Sequence, residues 1–184
     1  LSRHPEVENF LRPAGFSWRT PETKDGGRIV RWYGTDPKGF NVLLENAADV
    51  SDAIWAYVGA ALAQRQAWTN PDLWQAELAE RVEITNEGRE FTLYLRPGVR
   101  WHPPGNLDLG DPKYAWLRGD HFVTARDVAF SLGVIRDPKV ENAALKNYYE
   151  DVEGIEVLDD HTLVVRWAKT FCGAVEATLS MPIL

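Results

Sequence analysis

Two short strands joined by a tight turn, and the capped helix that follows them, constrain the fold of this 184-residue chain more than any other feature. Residues 82–85 and 90–95 are strand-like runs on either side of Asn-Glu-Gly, a pattern typical of a hairpin with a positive φ at Gly88. The second run alternates apolar and polar side chains, the period of a strand that is buried on one face. We therefore predict a hairpin whose second strand buries Phe91, Leu93 and Leu95 and turns Thr92 and Tyr94 the other way.

The helix is predicted over residues 124–135. Thr124 is a suitable N-cap, and Asp127 lies three residues later, where an acidic side chain can reach back to the cap. The Asp-Pro pair at 137–138 disfavours further helical turns and ends the element. Its buried stripe is predicted to be Val128, Leu132 and Ile135.

Weaker patterns describe the first part of the chain. Residues 1–27 contain three prolines and a Gly-Gly pair, which predicts a flexible N-terminal arm. Residues 28–33 alternate and predict a strand, and apolar residues at helical spacing after Ser51 predict a helix. Asn-Pro-Asp at 70–72 is expected to open a helical turn over residues 73–78.

The later part of the chain contains a second hairpin pattern. Residues 142–149 predict a helical turn, and residues 152–158 and 162–167 predict two strands joined by Asp-Asp-His. Residues 103–121 are interrupted by prolines and glycines, and we predict an irregular insertion there. Its two large aromatic side chains either cover an edge of the core or line a binding cleft; they are Tyr114 and Trp116.

The charge of the chain argues against binding to nucleic acid, and its cysteine content excludes an intrachain disulfide. The chain carries 27 acidic against 20 basic residues, a net charge of −7, and binding to nucleic acid depends on basic side chains that neutralise phosphates. Nucleic acid is therefore not expected as a partner. The single cysteine, Cys172, permits no intrachain disulfide and is predicted to be a small core residue.

No motif for catalysis or metal binding is evident. The sequence has no Gly-x-Ser-x-Gly elbow and no Gly-rich phosphate loop, and its four histidines lie far apart. We therefore predict no catalytic residue, no metal site and no cofactor. Eight tryptophans in an acidic chain leave one enzymatic alternative, a carbohydrate-active hydrolase with a pair of acidic side chains.

The order of these patterns resembles the solute-binding proteins that serve peptide and nickel ABC importers, the family 5 solute-binding proteins. The similar residues are Leu-Ala-Glu at 78–80, Leu-Arg at 95–96, Trp101, Thr-Ala-x-Asp-Val at 124–128 and Asp-Asp-x-Thr at 159–162. The resemblance covers residues 29–184. It implies an α+β fold, a mixed or antiparallel sheet with packed helices, that forms a small sub-domain of the first lobe of a type II periplasmic-binding-protein fold.

The same resemblance implies a division of the chain and a position for the ligand. Residues 28–45 would enter the first lobe, residues 46–168 would form the sub-domain, and residues 169–184 would begin the return to the lobe. A second lobe is absent, so we expect the reading frame to continue past Leu184. Two segments would reach the cleft between the lobes, and they place ligand contacts at Asn46, Ala47, Ala48, Tyr148 and Tyr149.

The predicted function is that of an extracytoplasmic solute-binding component of an ABC importer. It would capture a peptide or a similar small solute, deliver it to the membrane permease, and act as a monomer without chemistry on the solute. The resemblance implies a periplasmic protein or a cell-surface lipoprotein, although the sequence shows no export signal. Besides the hydrolase, a binding or sensor module without a transport role remains an alternative.

Overall fold

The structure, a computed structural model, describes residues 11–12, 24, 26–28, 30, 32, 39, 41, 43–44, 59–65, 73–102, 105 and 107–184. The predicted helix after Ser51 lies outside these residues up to residue 58, and Ala61 and Leu62, the last residues of its predicted buried stripe, are buried but not helical. Most of the predicted N-terminal arm also lies outside the described residues. Of the predicted strand 28–33, residues 28, 30 and 32 are described, and none of these three is in a strand. The division of the chain at residues 27, 45 and 168 stays a prediction.

A four-stranded antiparallel sheet is the centre of the described structure. Strands β4 (Ala79–Thr85), β5 (Glu90–Leu95), β6 (Val152–Val157) and β7 (Thr162–Trp167) are arranged in the order β4-β5-β7-β6. Both predicted hairpins are confirmed, β4 with β5 and β6 with β7. They meet where Glu90 lies opposite Arg166.

The turn between β4 and β5 adopts left-handed backbone conformations. Gly88 has φ +82°, as predicted, and Asn86 and Glu87 also have positive φ values, of 51° and 57°. The Thr170 hydroxyl donates a hydrogen bond of 2.9 Å to the Glu87 carbonyl oxygen. This contact ties the turn to the segment that follows β7.

The two faces of the sheet differ as the alternation predicts. The inner face is buried and includes Phe91, Leu93, Leu95, Leu163, Val165 and Trp167. On the outer face the Arg166 guanidinium bridges neighbouring strands, with Nε 3.0 Å from Glu90 Oε2 and NH1 2.7 Å from Glu156 Oε2. One face therefore carries the core, and the other carries charged pairs that span three strands.

Helix α1 (Ala125–Arg136) packs near β6 and begins at the predicted cap. The Thr124 backbone N–H donates to Asp127 Oδ2 at 2.6 Å, and the Thr124 hydroxyl donates to the same oxygen at 2.9 Å. The predicted stripe of Val128, Leu132 and Ile135 is buried. Helix, cap and buried face are confirmed.

A smaller mixed sheet precedes the main one. Strand β3 (Trp74–Ala76) pairs in parallel with β1 (Leu11–Arg12) and antiparallel with β2 (Ala63–Arg65). The helical turn predicted over residues 73–78 is therefore wrong. Trp74 and Ala76 lie on the buried side of this strand. Its backbone N–H and C=O groups pair with the two neighbouring strands, whereas in a helical turn they would bond within the segment.

Glu77 lies between β3 and β4 in the chain, and its carboxylate is hydrogen-bonded to residues 61 and 64, before and within β2 of the smaller sheet. Its Oε2 accepts a hydrogen bond of 3.1 Å from the Ala61 backbone N–H, and its Oε1 accepts one of 3.3 Å from Gln64 Nε2. Burial raises the pKa of Glu77, and the hydrogen bonds from Ala61 and Gln64 and the charge of Arg96 oppose that rise. Burial is the stronger effect, so the folded chain binds this proton more tightly than the unfolded chain does.

Glu77→Gln is expected to flatten the pH dependence of stability. A raised folded-state pKa stabilises the folded chain fully below the unfolded value of 4.5, and that contribution is lost as the pH rises through the raised value. The amide keeps an oxygen for Ala61 but cannot ionise. The difference in unfolding free energy between variant and wild type, measured in urea from acid to neutral pH, should shift in favour of the variant as the pH rises. A constant difference across that range would contradict the expected shift.

Two further sequence predictions need correction. Residues 103–121 are not wholly irregular, because Pro112–Leu117 forms a 3-10 helix whose N-cap side chain, Asp111, accepts a hydrogen bond of 3.0 Å from the Lys113 N–H. Cys172 is exposed rather than buried. It lies just before helix α3 (Ala174–Leu179), which buries Ala174, Thr178 and Leu179, and Cys172 is outside that buried face.

The C-terminal residues of the described chain close over helix α1. The Leu184 N–H donates 2.8 Å to Ser131 Oγ, and the Ser131 hydroxyl donates 2.7 Å to the Asp127 carbonyl oxygen. Met181 and Ile183 are buried beside them. The architecture is α+β, with a mixed sheet, an antiparallel sheet and packed helices, and the predicted class is confirmed.

Candidate ligand-binding site

The two predicted contact tyrosines lie at the end of helix α2 (Ala143–Tyr148). Tyr148 is its last residue and Tyr149 is its C-cap, whose N–H donates 3.0 Å to the Lys146 carbonyl oxygen. The next bond, 3.2 Å from the Val152 N–H to the Tyr149 carbonyl oxygen, leads directly into β6. These bonds hold the backbone of both tyrosines between helix α2 and strand β6.

Lys146 holds the segment that precedes the helix. Its Nζ donates to the Asp137 carbonyl oxygen at 2.8 Å and to the Val140 carbonyl oxygen at 3.2 Å. Asp137 caps the C-terminus of α1, so one lysine connects the end of α1 to α2. A cation at a helix C-terminus also interacts favourably with the helix dipole.

Tyr149 is part of the core. It is 4% exposed, its ring stacks on Trp167 with 6.4 Å between centroids, and its hydroxyl donates 3.0 Å to the Ala177 carbonyl oxygen. Trp167 in turn contacts the edge of Phe171 with 4.9 Å between centroids. We call Tyr149, Trp167 and Phe171 the aromatic cluster. Burial raises the pKa of Tyr149, so its hydroxyl is a neutral hydrogen-bond donor at every ordinary pH.

Tyr148 points the other way. It is 66% exposed, so its ring offers a flat apolar surface and a hydroxyl that can donate or accept. Its backbone is held by the Lys146 contacts and by the buried neighbour. Of the two tyrosines, the structure therefore leaves Tyr148 with surface for a ligand and gives Tyr149 the supporting position.

The structure does not test whether the predicted contacts come together. Asn46, Ala47 and Ala48 lie outside the described residues, and the nearest described residues before them are Leu43 and Leu44. The Leu43 N–H is bonded to Asn41 Oδ1 at 3.0 Å in a local turn. The ligand contacts therefore stay a prediction.

Asn142 is a polar residue whose burial the sequence does not reveal. It is 6% exposed, and neither its amide oxygen nor its amide nitrogen has a hydrogen-bond partner among the residues that the structure describes. Its backbone carbonyl accepts 2.9 Å from the Lys146 N–H at the start of α2. An Asn before a helical run predicts an exposed cap, so no sequence signal distinguishes this side chain from an ordinary N-cap.

The insertion contributes one prominent surface residue. Trp116 is 70% exposed and so does not cover the core, whereas Tyr114 is partly buried. Arg118 holds the insertion together by donating to the Leu109 and Gly110 carbonyl oxygens at 2.6 and 2.9 Å. Trp116 is therefore presented on a loop that has its own hydrogen bonds.

Neither a metal site nor a membrane span is evident in the described part of the chain. No group of three or more His, Cys, Asp or Glu side chains in this part could hold a metal ion. None of its helices has the length and apolar character needed to cross a bilayer.

Comparison with known proteins shows the family. Residues 74–183 match the family model of bacterial extracellular solute-binding proteins, family 5 (middle region), which is more than half of the sequence. The chain belongs to this family. No curated protein matches the sequence.

Solved structures of similar fold include three with bound solutes. DppA from Helicobacter pylori, in complex with the peptide STSA, is 20% identical with a TM-score of 0.63 over 82% of this chain and 29% of that one. MoaA from A. tumefaciens R10, with mannopinic acid, is 26% identical with a TM-score of 0.57 over 76% and 26%. NikZ from Campylobacter jejuni, with Ni(L-His), is 22% identical with a TM-score of 0.53 over 69% and 22%.

These likenesses confirm the fold predicted from the sequence, that of the type II periplasmic binding proteins. The chain spans between 22% and 29% of the length of the three solved structures. The family match supports the solute-binding interpretation and gives no support to the hydrolase alternative.

Proposed function

We propose that this chain belongs to the solute-binding component of an ABC importer, located outside the cytoplasmic membrane. It would form part of one lobe of a protein that captures a peptide or a similar small solute between two lobes and delivers it to a membrane permease. The observation that carries the proposal is the family match over residues 74–183. Capture drives closure only if the solute binds the closed form better than the open form.

Solved structures of this fold hold solutes of different classes. The three solved structures contain a peptide, mannopinic acid and Ni(L-His). An extended peptide has free N–H and C=O groups that a loop can pair and side chains that a flat aromatic ring can contact. The exposed ring of Tyr148 suits such a contact, and the backbone of residues 46–48 would supply the pairing.

No chemistry on the solute is part of this proposal. The chain would act as a monomer, without cofactor, and its role would be to bind, close and release. In that role Tyr148 contacts the solute, whereas Tyr149 keeps the end of α2 in place through the Ala177 carbonyl and Trp167.

A thermal-shift screen tests the proposal. The 184-residue chain and the complete gene product are screened against short peptides, Ni-histidine and glycans. A ligand present at about 100 times its Kd stabilises the native state by about 2.7 kcal/mol, which is readily measured. We expect a peptide to raise the Tm of the complete product, and Tyr148→Ala to reduce that shift without lowering the Tm of the unliganded protein.

Two outcomes would contradict the proposal. A shift with glycans together with release of reducing sugar would indicate the hydrolase instead. Absence of a shift with every solute class, in a complete product that unfolds cooperatively, would indicate a module without a solute-capturing role.

A further inference from the structure

Strand β6 forms one edge of the main sheet. It pairs with β7, and the described residues supply no strand on its other side. An edge strand presents unpaired backbone N–H and C=O groups that can pair with another extended chain. This edge is therefore a potential binding surface, independent of the solute site proposed above.

Hydrogen-bond alternation shows which backbone groups are free to pair. The Leu158 N–H donates 2.9 Å to the Thr162 carbonyl oxygen, which makes Leu158 and Thr162 a hydrogen-bonded pair. Such pairs alternate along an antiparallel ladder, so Glu156 and Gly154 direct their backbone groups toward β7. Ile155 and Val157 direct theirs to the open edge.

The same edge is acidic. Residues 149–160 contain six carboxylates and no lysine or arginine. Three of these carboxylates pair with basic side chains from elsewhere in the chain: Glu156 with Arg166 at 2.7 Å, Asp151 with Lys169 at 2.7 Å and Asp160 with Arg126 at 3.9 Å.

Glu150 and Glu153 add two further carboxylates, of which Glu150 also interacts electrostatically with Lys169. Both are exposed, and Glu153 forms no ion pair with a basic residue of the described chain. Glu153 also lies at the bulge between Val152 and Gly154, where the register of β6 against β7 shifts. Leu158, at the other end of the strand, is 55% exposed and supplies an apolar contact.

These charges discriminate between possible occupants of the edge. A second copy of this chain would bring its own β6 carboxylates against the same carboxylates, and like charges on directly opposed strands are destabilising. A strand with basic side chains would instead place them beside Glu150 and Glu153. Charge complementarity therefore favours a basic partner over self-association.

We propose that the β6 edge binds an extended basic segment of a partner protein by strand addition, with Lys or Arg alternating with apolar residues in that segment. The backbone groups of Ile155 and Val157 would pair with the partner strand. The carboxylates of Glu150 and Glu153 would contact its basic side chains, and Leu158 would contact an apolar one.

The test uses a short labelled peptide of alternating lysine and valine, long enough to span the six residues of β6. Fluorescence anisotropy measures its affinity for the 184-residue chain. Two further peptides act as probes of mechanism, one N-methylated at alternate backbone nitrogens and one with glutamate in place of lysine. We expect the first peptide to bind and both others to fail, because one loses strand pairing and the other loses charge complementarity.

Matched protein variants test the surface. Glu150→Lys with Glu153→Lys reverses two charges at β6, and we expect it to weaken binding by about tenfold or more. Glu80→Lys with Glu141→Lys makes the same change in net charge away from β6, with Glu80 on the opposite edge strand β4, and should leave the affinity within about twofold. Circular dichroism establishes that both variants are folded.

Amide hydrogen exchange gives a readout at single residues. In the free chain the Gly154 and Glu156 amides should be protected and the Ile155 and Val157 amides should exchange quickly. Saturating peptide should protect Ile155 and Val157. The proposal is overturned if the lysine peptide does not bind, if the N-methylated peptide binds equally well, or if both double variants lose affinity equally.

Discussion

Trp167→Ala is expected to lower the free energy of unfolding by about 3–5 kcal/mol, the usual cost of deleting a large buried aromatic side chain. Trp167 is 2% exposed and lies on β7, the strand between β5 and β6. Its ring contacts Tyr149 and Phe171, and its Nε1 donates 3.0 Å to the buried Thr178 Oγ1. The substitution therefore leaves a cavity and removes the hydrogen bond that joins β7 to α3.

Urea unfolding followed by far-UV circular dichroism measures this loss, and Trp116→Ala provides the matched control. Trp116 is 70% exposed, so the same substitution there should change stability by less than about 0.5 kcal/mol. If Trp167→Ala does not fold, Trp167→Phe keeps most of the ring, and we expect it to retain the fold with reduced stability. Equal losses of unfolding free energy at the two tryptophans would show that the aromatic cluster does not stabilise the core.

Tyr149→Ala should cost a similar amount, about 3–5 kcal/mol, because its buried ring and its hydrogen bond are lost together. Tyr149→Phe separates these contributions. It keeps the ring but removes a partly buried hydrogen bond to the Ala177 carbonyl oxygen, which should cost about 0.5–1.5 kcal/mol.

The adjacent Tyr148 is the control for both substitutions. Because it is 66% exposed, Tyr148→Ala and Tyr148→Phe should each change the unfolding free energy by less than about 0.5 kcal/mol. Thermal and urea unfolding of the four variants gives the comparison. A large stability loss from Tyr148→Ala would mean that this ring packs in the protein and is not available to a ligand.

Local patterns predicted the elements whose partners are close in sequence. The alternation in β5 and the Asn-Glu-Gly turn predict the β4–β5 hairpin, and Thr124 with Asp127 predicts the start of α1. In each case the atoms that stabilise the element lie within a few residues of one another. The family resemblance then supplied the fold, which local patterns do not define.

Pairings between distant segments were not predictable in this way. Nothing near Glu90 indicates that it faces Arg166, and the three-residue strand β3 forms because β1 and β2 lie beside it. The spacing of apolar residues over 73–78 fits a helical turn equally well, which explains the wrong prediction there.

The candidate site was also only partly predictable from the sequence, because it too depends on packing between distant segments. The sequence marks Tyr148 and Tyr149 as a pair, but only the direction of the backbone at the end of α2 places one in solvent and the other in the core. The unpartnered amide of Asn142 also depends on packing from several segments, and no neighbouring residue in the sequence indicates it.

The contact between β5 and β7 has a consequence for folding speed and for tolerance to length change. Each hairpin can form from neighbouring residues, but pairing β5 with β7 must close the whole stretch of residues 96–161 into a loop. We expect the meeting of the two preformed hairpins to be the slow step, since distant contacts slow folding. Loop-closure entropy grows only with the logarithm of length, about 0.6 kcal/mol for a doubling. Residues 103–121 lie in this loop, so we expect that the insertion can lengthen or shorten at little cost to the pairing of β5 with β7.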